Sequence, residues 1–263
     1  MKISQWIKTP KGYVAIAMAA YAVIASIGLQ NGTGVVKAVL AVGVCVAVDI
    51  ICSRIVKKKL VIPDSAFITG LIISMILSTT TSWLVVSATA AISILSKYFF
   101  VYRKKPIFNP AVMGLLASVL IFGAGQSWWG AFSDLPAWSV LVLIGGYAIT
   151  NRIHKYPQVF SFFGTLFMLL LLLGLFHKGD VFDALRPPFI NAALYFGFFM
   201  LTDPPTSPAK VNDQIIFGII VAAAGTVIYV CFGGLMYLFI GLMLGNAYHW
   251  LKMRSTVRMA QAG

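Results

Sequence analysis

A proline-rich polar stretch, Thr-Asp-Pro-Pro-Thr-Ser-Pro at 202–208, ends one of the apolar segments of this chain. Proline cannot continue a helix, so backbone carbonyl groups around it are left free to bind a ligand. An ionisable group at membrane depth is costly and commonly has a function, and Asp203 is the acid best placed for one. Thr202, Asp203 and Thr206 are therefore candidate cofactor-binding residues. The alternative is an ordinary Asp-Pro turn that ends a helix.

A second motif, Phe-Asn-Pro-Ala, begins at Phe108 and follows the basic cluster Arg103–Lys105. Asn109 can cap a helix whose first turn contains Pro110. The free N–H groups of that helix start, next to the basic cluster, could attract an anion such as a phosphate. Phe108 and Asn109 are thus candidate cofactor-binding residues, and a purely structural cap is the alternative.

Three further polar residues interrupt or end apolar runs. Asn191 must find a partner on another helix or a ligand. Thr69 lies near the start of an apolar segment, and Thr80 lies in the polar stretch 78–82 that ends the same segment. Because non-helical backbone at membrane depth is tolerated only inside protein or beside a cavity, the stretches 78–82 and 202–207 are expected to line an interior site. Thr69, Thr80 and Asn191 complete the candidate site.

The elements that must position these residues are two short apolar segments that start alike, with Phe-Ile at 67–68 and at 189–190. Each contains roughly a dozen apolar residues, too few to cross a hydrocarbon core of ~30 Å at 1.5 Å per residue. Paired short segments in corresponding halves of a membrane protein point to a binding site near the midplane.

The composition places the chain among helical membrane proteins. Of its 263 residues, 60% are hydrophobic and 10% are charged, and the mean hydropathy is +0.91. The formal net charge of +13 arises from basic residues between apolar segments, which favours an orientation signal over nucleic-acid binding. The three cysteines form no Cys-x-x-Cys or Cys/His pattern, and no metal site is predicted.

Ten apolar segments can be drawn, at 12–29, 34–53, 65–78, 82–101, 107–124, 136–151, 158–176, 188–202, 214–232 and 235–251. A cytoplasmic N-terminus gathers nearly all basic residues on the inner face and leaves only Lys37, Lys178 and Arg186 outside. This asymmetry predicts ten spans with both termini in the cytoplasm. It requires that the two short segments also cross, alone or with the non-helical stretches beside them.

Ten spans divide into two sets of five, at 1–130 and 131–263. Five is odd, so the halves enter the membrane from opposite sides, and the third span of each half is the short one. The fold class predicted is an all-α polytopic membrane protein built from two inverted five-helix repeats with short or broken third helices.

Smaller signals concern helix ends and packing. Asp64 is expected to cap the first short helix. Gly114 and Gly241 are expected to permit close helix packing. The pair Trp128-Trp129, with Trp83 and Trp138, is expected to form an interfacial belt on the outer face.

The motifs Phe-Asn-Pro-Ala at 108–111 and Leu-Thr-Asp-Pro at 201–204, with the ten-span repeat, resemble the NqrB/RnfD family. Its members are the large membrane subunits of the sodium-pumping NADH:quinone reductase and of the Rnf electron-transport complex. The resemblance implies a fold related to that of urea transporters and electron transfer through flavins. In the family, one FMN is bonded through its phosphate to a Thr in a Ser-Gly-Ala-Thr-type motif on the outer side, and riboflavin can sit in the membrane part.

The outer loop 125–134, Gly-Gln-Ser-Trp-Trp-Gly-Ala-Phe-Ser-Asp, contains no threonine, so covalent FMN is not expected. The resemblance then implies a bacterial inner-membrane subunit that binds FMN, FAD or riboflavin non-covalently between the broken helices. It would work with redox partner subunits or a flavinylated extracytoplasmic protein, and with no nucleic acid. Two alternatives stay open: a transporter or channel for a small solute or flavin, and a scaffolding subunit.

Overall fold

A computed structural model describes residues 3–7, 9–30, 32–57, 62–133, 136–177 and 181–262. Its helices are α1 (Ile3–Trp6), α2 (Pro10–Gly28), α3 (Thr33–Ile55), α4 (Asp64–Ile76), α5 (Trp83–Phe99), α6 (Pro110–Phe122), α7 (Ser139–Ile153), α8 (Tyr156–Leu175), α9 (Val181–Leu185), α10 (Phe189–Tyr195), α11 (Val211–Phe232) and α12 (Met236–Ala262). Strands β1 (Val101–Tyr102) and β2 (Lys105–Pro106) form a small hairpin between α5 and α6. Apart from this hairpin the described fold is all-α, as predicted. Lys178 and Asp134, used above, lie outside the described residues.

Each of the ten predicted apolar segments coincides with a helix. Within the described residues, four helices are long and apolar enough to cross a membrane alone: Lys11–Gly28, Thr33–Ile55, Tyr156–Leu175 and Val211–Phe232. Five more apolar helices have 10–17 residues: Asp64–Ile76, Trp83–Phe99, Pro110–Phe122, Ser139–Ile153 and Phe189–Met200. Ten crossings therefore require that shorter helices are completed by their flanking residues.

Both third segments are short, as predicted. Helix α4 has 13 residues and ends where Leu77 turns into extended backbone. Helix α10 has 7 residues, continues as a π-helical turn over Phe196–Met200, and gives way to non-helical backbone up to Lys210. The prediction that Asp64 caps α4 is wrong: the helix start has no side-chain cap, and Oδ1 of Asp64 instead accepts a hydrogen bond of 2.7 Å from Nε1 of Trp6.

Helices pair in the same order in the two halves. In the first half, α3 packs on α4 and α5, and α5 packs on α6. In the second half, α8 packs on the π-helical turn and on α11, and α11 packs on α12. The last helix of each half approaches its neighbour at a glycine: a Cβ on Gly114 would meet Ser93 of α5, and one on Gly241 would meet Val221 of α11. Close packing at both glycines is confirmed.

The outer loop 125–133 folds back into the core between the helices. Trp128 and Trp129 are 0% and 2% exposed, so the prediction of an interfacial position is wrong for this pair. The backbone N–H groups of Ser127 and Trp128 donate to the carbonyl of Ile76 at 3.0 and 3.2 Å. Nε1 of Trp129 donates to the carbonyl of Ser74 at 2.6 Å. The physical reason is that α4 ends early, and its last carbonyl groups need donors that the membrane interior cannot supply.

Candidate functional site

A small cavity of about 80 Å³, partly open to solvent, lies where the two short segments approach each other. The start of α4 forms one wall, and the end of the π-helical turn with residues 202–205 forms another. Helices α2, α6 and α7 complete it. Its apolar lining residues are Val14, Ile68, Ile72, Ile149, Ile153 and Phe199, and its polar ones are Lys11, Ser65, Thr69, Asn109, Thr202 and Asp203.

Asn109 connects the cavity wall to both halves of the chain. It caps α6 as predicted, because its side chain accepts from the N–H of Val112 at 3.3 Å and Pro110 follows in the first turn. Its Nδ2 donates to the carbonyl of Met200 at 3.3 Å. Its backbone N–H donates to Oδ1 of Asn246 at 3.1 Å. With this N–H already paired and Pro110 lacking one, the helix start offers less to an anion than the sequence suggested.

The stretch after Met200 is folded on itself by short hydrogen bonds. The Thr202 hydroxyl donates to the carbonyl of Phe198 at 2.7 Å. The Thr206 hydroxyl donates to Oδ2 of Asp203 at 2.8 Å, and the Ser207 hydroxyl donates to the carbonyl of Asp203 at 2.7 Å. Asp203 is thus held by two neighbours while it lines the cavity. The stretch is both an Asp-Pro turn and a wall of the site.

Charge around Asp203 is balanced by a buried lysine. Lys155 lies between α7 and α8, is 4% exposed, and donates to the Ser207 hydroxyl at 3.0 Å and to the carbonyl of Pro208. Burial lowers the pKa of Lys155 to about 8, and the negative charge of Asp203 acts in the opposite direction. Burial raises the pKa of the Asp203 carboxyl, while the Thr206 hydrogen bond and the charges of Lys11 and Lys155 act to lower it.

Thr69 presents a hydroxyl group to the cavity without using it elsewhere. The residue is buried on α4 and lines the cavity. No described residue forms a hydrogen bond with its side chain. The hydroxyl can therefore form a hydrogen bond with water or with a ligand in the cavity.

Of the predicted residues, four line the cavity: Thr69, Asn109, Thr202 and Asp203. Thr206 does not line it, but its hydroxyl donates a hydrogen bond to the Asp203 carboxylate. The other three lie elsewhere, each with a protein partner. Thr80 is exposed and shares a hydrogen bond of 2.7 Å with the Ser78 hydroxyl. Nδ2 of Asn191 donates to the carbonyl of Phe132 at 2.8 Å, and the ring of Phe108 packs edge-on against Phe100 at 5.7 Å.

The stretch 78–82 does not share the cavity with 202–205 within the described part of the chain. It lies at the opposite end of α4, where the N–H of Ser78 donates to the carbonyl of Gly125 at 3.0 Å. The cavity is formed instead by the start of one short helix and the end of the other. The expectation that the stretches 78–82 and 202–207 both line this interior site is therefore wrong for 78–82.

Most of the other lining residues were not predicted from the sequence, and Lys11, Ser65 and Phe199 are examples. Lys11 counted only as an orientation charge, Ser65 only as part of a helix start, and Phe199 only as one apolar residue among many. The available signal was helical spacing, because Ser65, Ile68, Thr69 and Ile72 recur on one face of α4.

The family model described as the NQR2, RnfD, RnfE family matches residues 5–137 and 133–251. No curated protein sequence matches the chain significantly. The two matches together extend over nearly the whole chain, and the apolar helices agree with them. The chain is a multi-pass membrane protein that belongs to the NQR2, RnfD, RnfE family.

Proposed function

We propose that this protein is a membrane subunit of a flavin-dependent electron-transfer system of the Nqr/Rnf type, and that it holds a flavin non-covalently in the cavity between the two short segments. Family membership supports the electron-transport part of this proposal. The observation that carries the flavin part is the cavity itself, which joins apolar walls to a few convergent polar groups.

The lining residues fit a flat, uncharged ring system. Ile68, Ile72 and Phe199 provide apolar contact surface. Thr69 has an unused hydroxyl, and Asp203 has one carboxylate oxygen beyond the one that Thr206 occupies. These groups can pair with the donors and acceptors along the edge of a flavin ring. A bound flavin would supply the capacity to accept and release electrons, which the side chains lack.

The attachment is proposed as non-covalent because the outer loop has no threonine. That loop is packed into the core through Trp128 and Trp129.

The architecture proposed for this function is two inverted repeats, 1–130 and 131–263, with ten crossings and both termini in the cytoplasm of a bacterial inner membrane. The equivalent helix pairings in the two halves support the repeat. The distribution of basic residues supports the orientation. The cavity would then lie on the cytoplasmic side, since its lining includes Lys11 and also Pro106, which follows the basic cluster Arg103–Lys105.

Electrons would pass between a cytoplasmic donor and an extracytoplasmic acceptor, so partner subunits or a flavinylated extracytoplasmic protein are part of the proposal. The chain carries no nicotinamide-binding glycine fingerprint and no iron–sulfur cysteine set. These partners would therefore contain the redox groups that donate electrons to the flavin and accept electrons from it.

The test is an absorption spectrum of the protein purified in mild detergent, before and after incubation with riboflavin or FMN and removal of the free flavin. A retained flavin spectrum that resists gel filtration is expected. Denaturation in acid should release it into the supernatant, since it is not bonded to the chain. A protein that neither carries flavin nor retains it after incubation contradicts the proposal.

A second candidate function, transport of a small solute, is favoured by one observation. The cavity lies between two helices that each stop partway and that belong to opposite halves, as binding sites of secondary transporters do. Uptake of a solute such as riboflavin into proteoliposomes without any redox donor supports transport. Retained flavin without uptake supports electron transfer.

A further inference from the structure

Among the residues that the structure describes, each half of the chain buries one lysine whose ammonium group donates hydrogen bonds to the non-helical backbone after the short helix. In the first half, Lys37 on α3 is 7% exposed and donates to the carbonyl groups of Thr79 and Thr81. In the second half, Lys155 donates to Ser207 and to the carbonyl of Pro208. Both lysines come from the second long helix of their half or from the residue preceding it.

A lysine suits this position because its ammonium group has three donors and no acceptor, so it can satisfy several carbonyl groups at once. A buried cation is costly unless it is hydrogen-bonded, and free carbonyl groups at membrane depth are costly unless they find donors. When the ammonium group donates to these carbonyl groups, both desolvation costs are reduced. The ammonium group therefore fixes the backbone after each break more firmly than a neutral side chain could.

Only one of the two lysines acts on the cavity. Lys155 holds Ser207, and Ser207 in turn holds the carbonyl of Asp203, which lines the cavity. Lys37 holds the stretch 79–81 at the far end of α4, with the ring of Trp83 at 5.4 Å from its Nζ. None of these first-half residues lines the cavity as the structure describes it.

We propose that Lys155 is the positioning residue of the cavity: its ammonium group holds residues 203–208 in the conformation that presents Asp203 and Thr202 to the ligand. The identity of the ligand as a flavin rests on the proposed function, whereas the positioning role of Lys155 does not. Lys37 performs the equivalent task for the outer break and does not influence the ligand.

The proposal includes a dependence on pH. Lys155 has a pKa of about 8, lowered by burial, so its charge is lost as the pH rises through that value. The groups that face it electrostatically are Asp203 on the 201–210 stretch and His249 on α12. Lys155 is the group of these three whose charge changes near pH 8. Loss of the Lys155 charge is thus the event that loosens the stretch and weakens binding.

The first test compares riboflavin binding by the parent, Lys155→Met and the matched control Lys37→Met, each purified in detergent. At about pH 7, Lys155→Met is expected to bind roughly tenfold more weakly, which corresponds to the loss of one good hydrogen-bonded contact. Lys37→Met is expected to bind like the parent. The parent and Lys37→Met should lose affinity above about pH 8, whereas Lys155→Met should show no such step. Equal affinity and an unchanged pH step in Lys155→Met overturn the proposal.

A second variant covers the case in which Lys155→Met fails to insert. Lys155→Arg keeps its charge at every accessible pH. Binding by Lys155→Arg is expected to stay constant between about pH 7 and pH 9.5, while binding by the parent falls. A fall of the same size in Lys155→Arg shows that the charge of Lys155 is not responsible.

A ligand-independent measurement separates this inference from the proposed function. Thr206 is buried within the stretch that Lys155 holds, so Thr206→Cys in a Cys231→Ser background should react slowly with a maleimide. Adding Lys155→Met should speed labelling at about pH 7 roughly tenfold, because the stretch opens more often. If the parent binds no flavin but labelling accelerates, the proposed function fails and the positioning role stands. If labelling is unchanged, the positioning role fails.

Discussion

The backbone N–H of Asn109 donates to Oδ1 of Asn246 at 3.1 Å, in a part of the core where both residues are at most 3% exposed. Nδ2 of the same Asn246 side chain donates to the carbonyl of Thr206 at 3.0 Å. One amide group on the last helix thus joins the cap of α6 to the polar stretch beside the cavity. The Asn246 side chain therefore has two hydrogen-bonded partners outside its own helix.

Replacing Asn246 by leucine should therefore destabilise the protein. The change leaves the N–H of Asn109 and the carbonyl of Thr206 buried without partners, at about 1–3 kcal/mol for each unsatisfied group. A lower midpoint of thermal unfolding in detergent is expected. The matched control is Asn212→Leu, at an exposed position at the start of α11. Equal midpoints for the two variants would show that the Asn246 bonds contribute nothing.

Thr69→Val tests the unused hydroxyl in the cavity. The two side chains have nearly the same shape, so the helix should form normally while ligand affinity falls by about 1 kcal/mol, or roughly fivefold. Riboflavin titration followed by fluorescence measures the change. Thr80→Val is the matched control, because Thr80 is exposed at the far end of α4. If both variants bind alike, Thr69 does not contact the ligand.

Asp203→Ala and Thr206→Val test the polar stretch. The first removes a cavity-lining carboxylate, and the second removes the hydrogen bond of 2.8 Å that orients it. Each is expected to weaken ligand binding or electron transfer roughly ten- to hundredfold, for about 1–3 kcal/mol, with membrane insertion intact. If both variants insert normally and bind and function like the parent, the stretch is only a turn and does not contribute to ligand binding.

A partly buried ion pair between α3 and α5 gives a prediction about stability. Nζ of Lys97 and the hydroxyl of Tyr98 both lie 2.7 Å from Oδ1 of Asp49. Lys97→Met leaves the Asp49 charge with only the Tyr98 hydrogen bond and should cost about 2 kcal/mol in the free energy of unfolding. The double variant Asp49→Leu/Lys97→Met should recover much of this loss, since no isolated charge is left.

The control for the ion pair is the exposed pair of Arg186 and Asp183. Arg186→Gln should change the free energy of unfolding by less than about 0.5 kcal/mol, because solvent screens this pair. Urea unfolding in detergent measures the parent and the three variants. A double variant that is less stable than Lys97→Met contradicts the expected compensation.

The features that the sequence predicts well are those that depend on local residues. A Pro-Pro dipeptide after Asp203 stops a helix wherever it occurs, so the early end of the second short segment follows from residues 204–205 alone. The cap formed by Asn109 before Pro110 is local in the same way. The placing of ten apolar segments needs only a hydropathy pattern and helical geometry.

The features that it misses depend on contacts between distant residues. Nothing near Trp128 and Trp129 indicates that they fill the space beyond α4, because the carbonyl groups that attract them lie about 50 residues earlier in the chain. Asp64 stands where a helix-capping residue is expected, but its carboxylate accepts a hydrogen bond from the Trp6 indole instead. Asn191 also looks like a ligand residue until the carbonyl of Phe132 is seen beside it.

The burial of the outer loop against α4 has a consequence for biosynthesis. The indole that pairs with the carbonyl of Ser74 lies 55 residues further along the chain. At a synthesis rate of about 5–20 residues per second, the end of α4 waits roughly 3–11 seconds for its partner to leave the ribosome. During that interval its last carbonyl groups cannot be stable in lipid. We expect α4 to stay within the insertion machinery, or in contact with α3, until the whole first half has been translated.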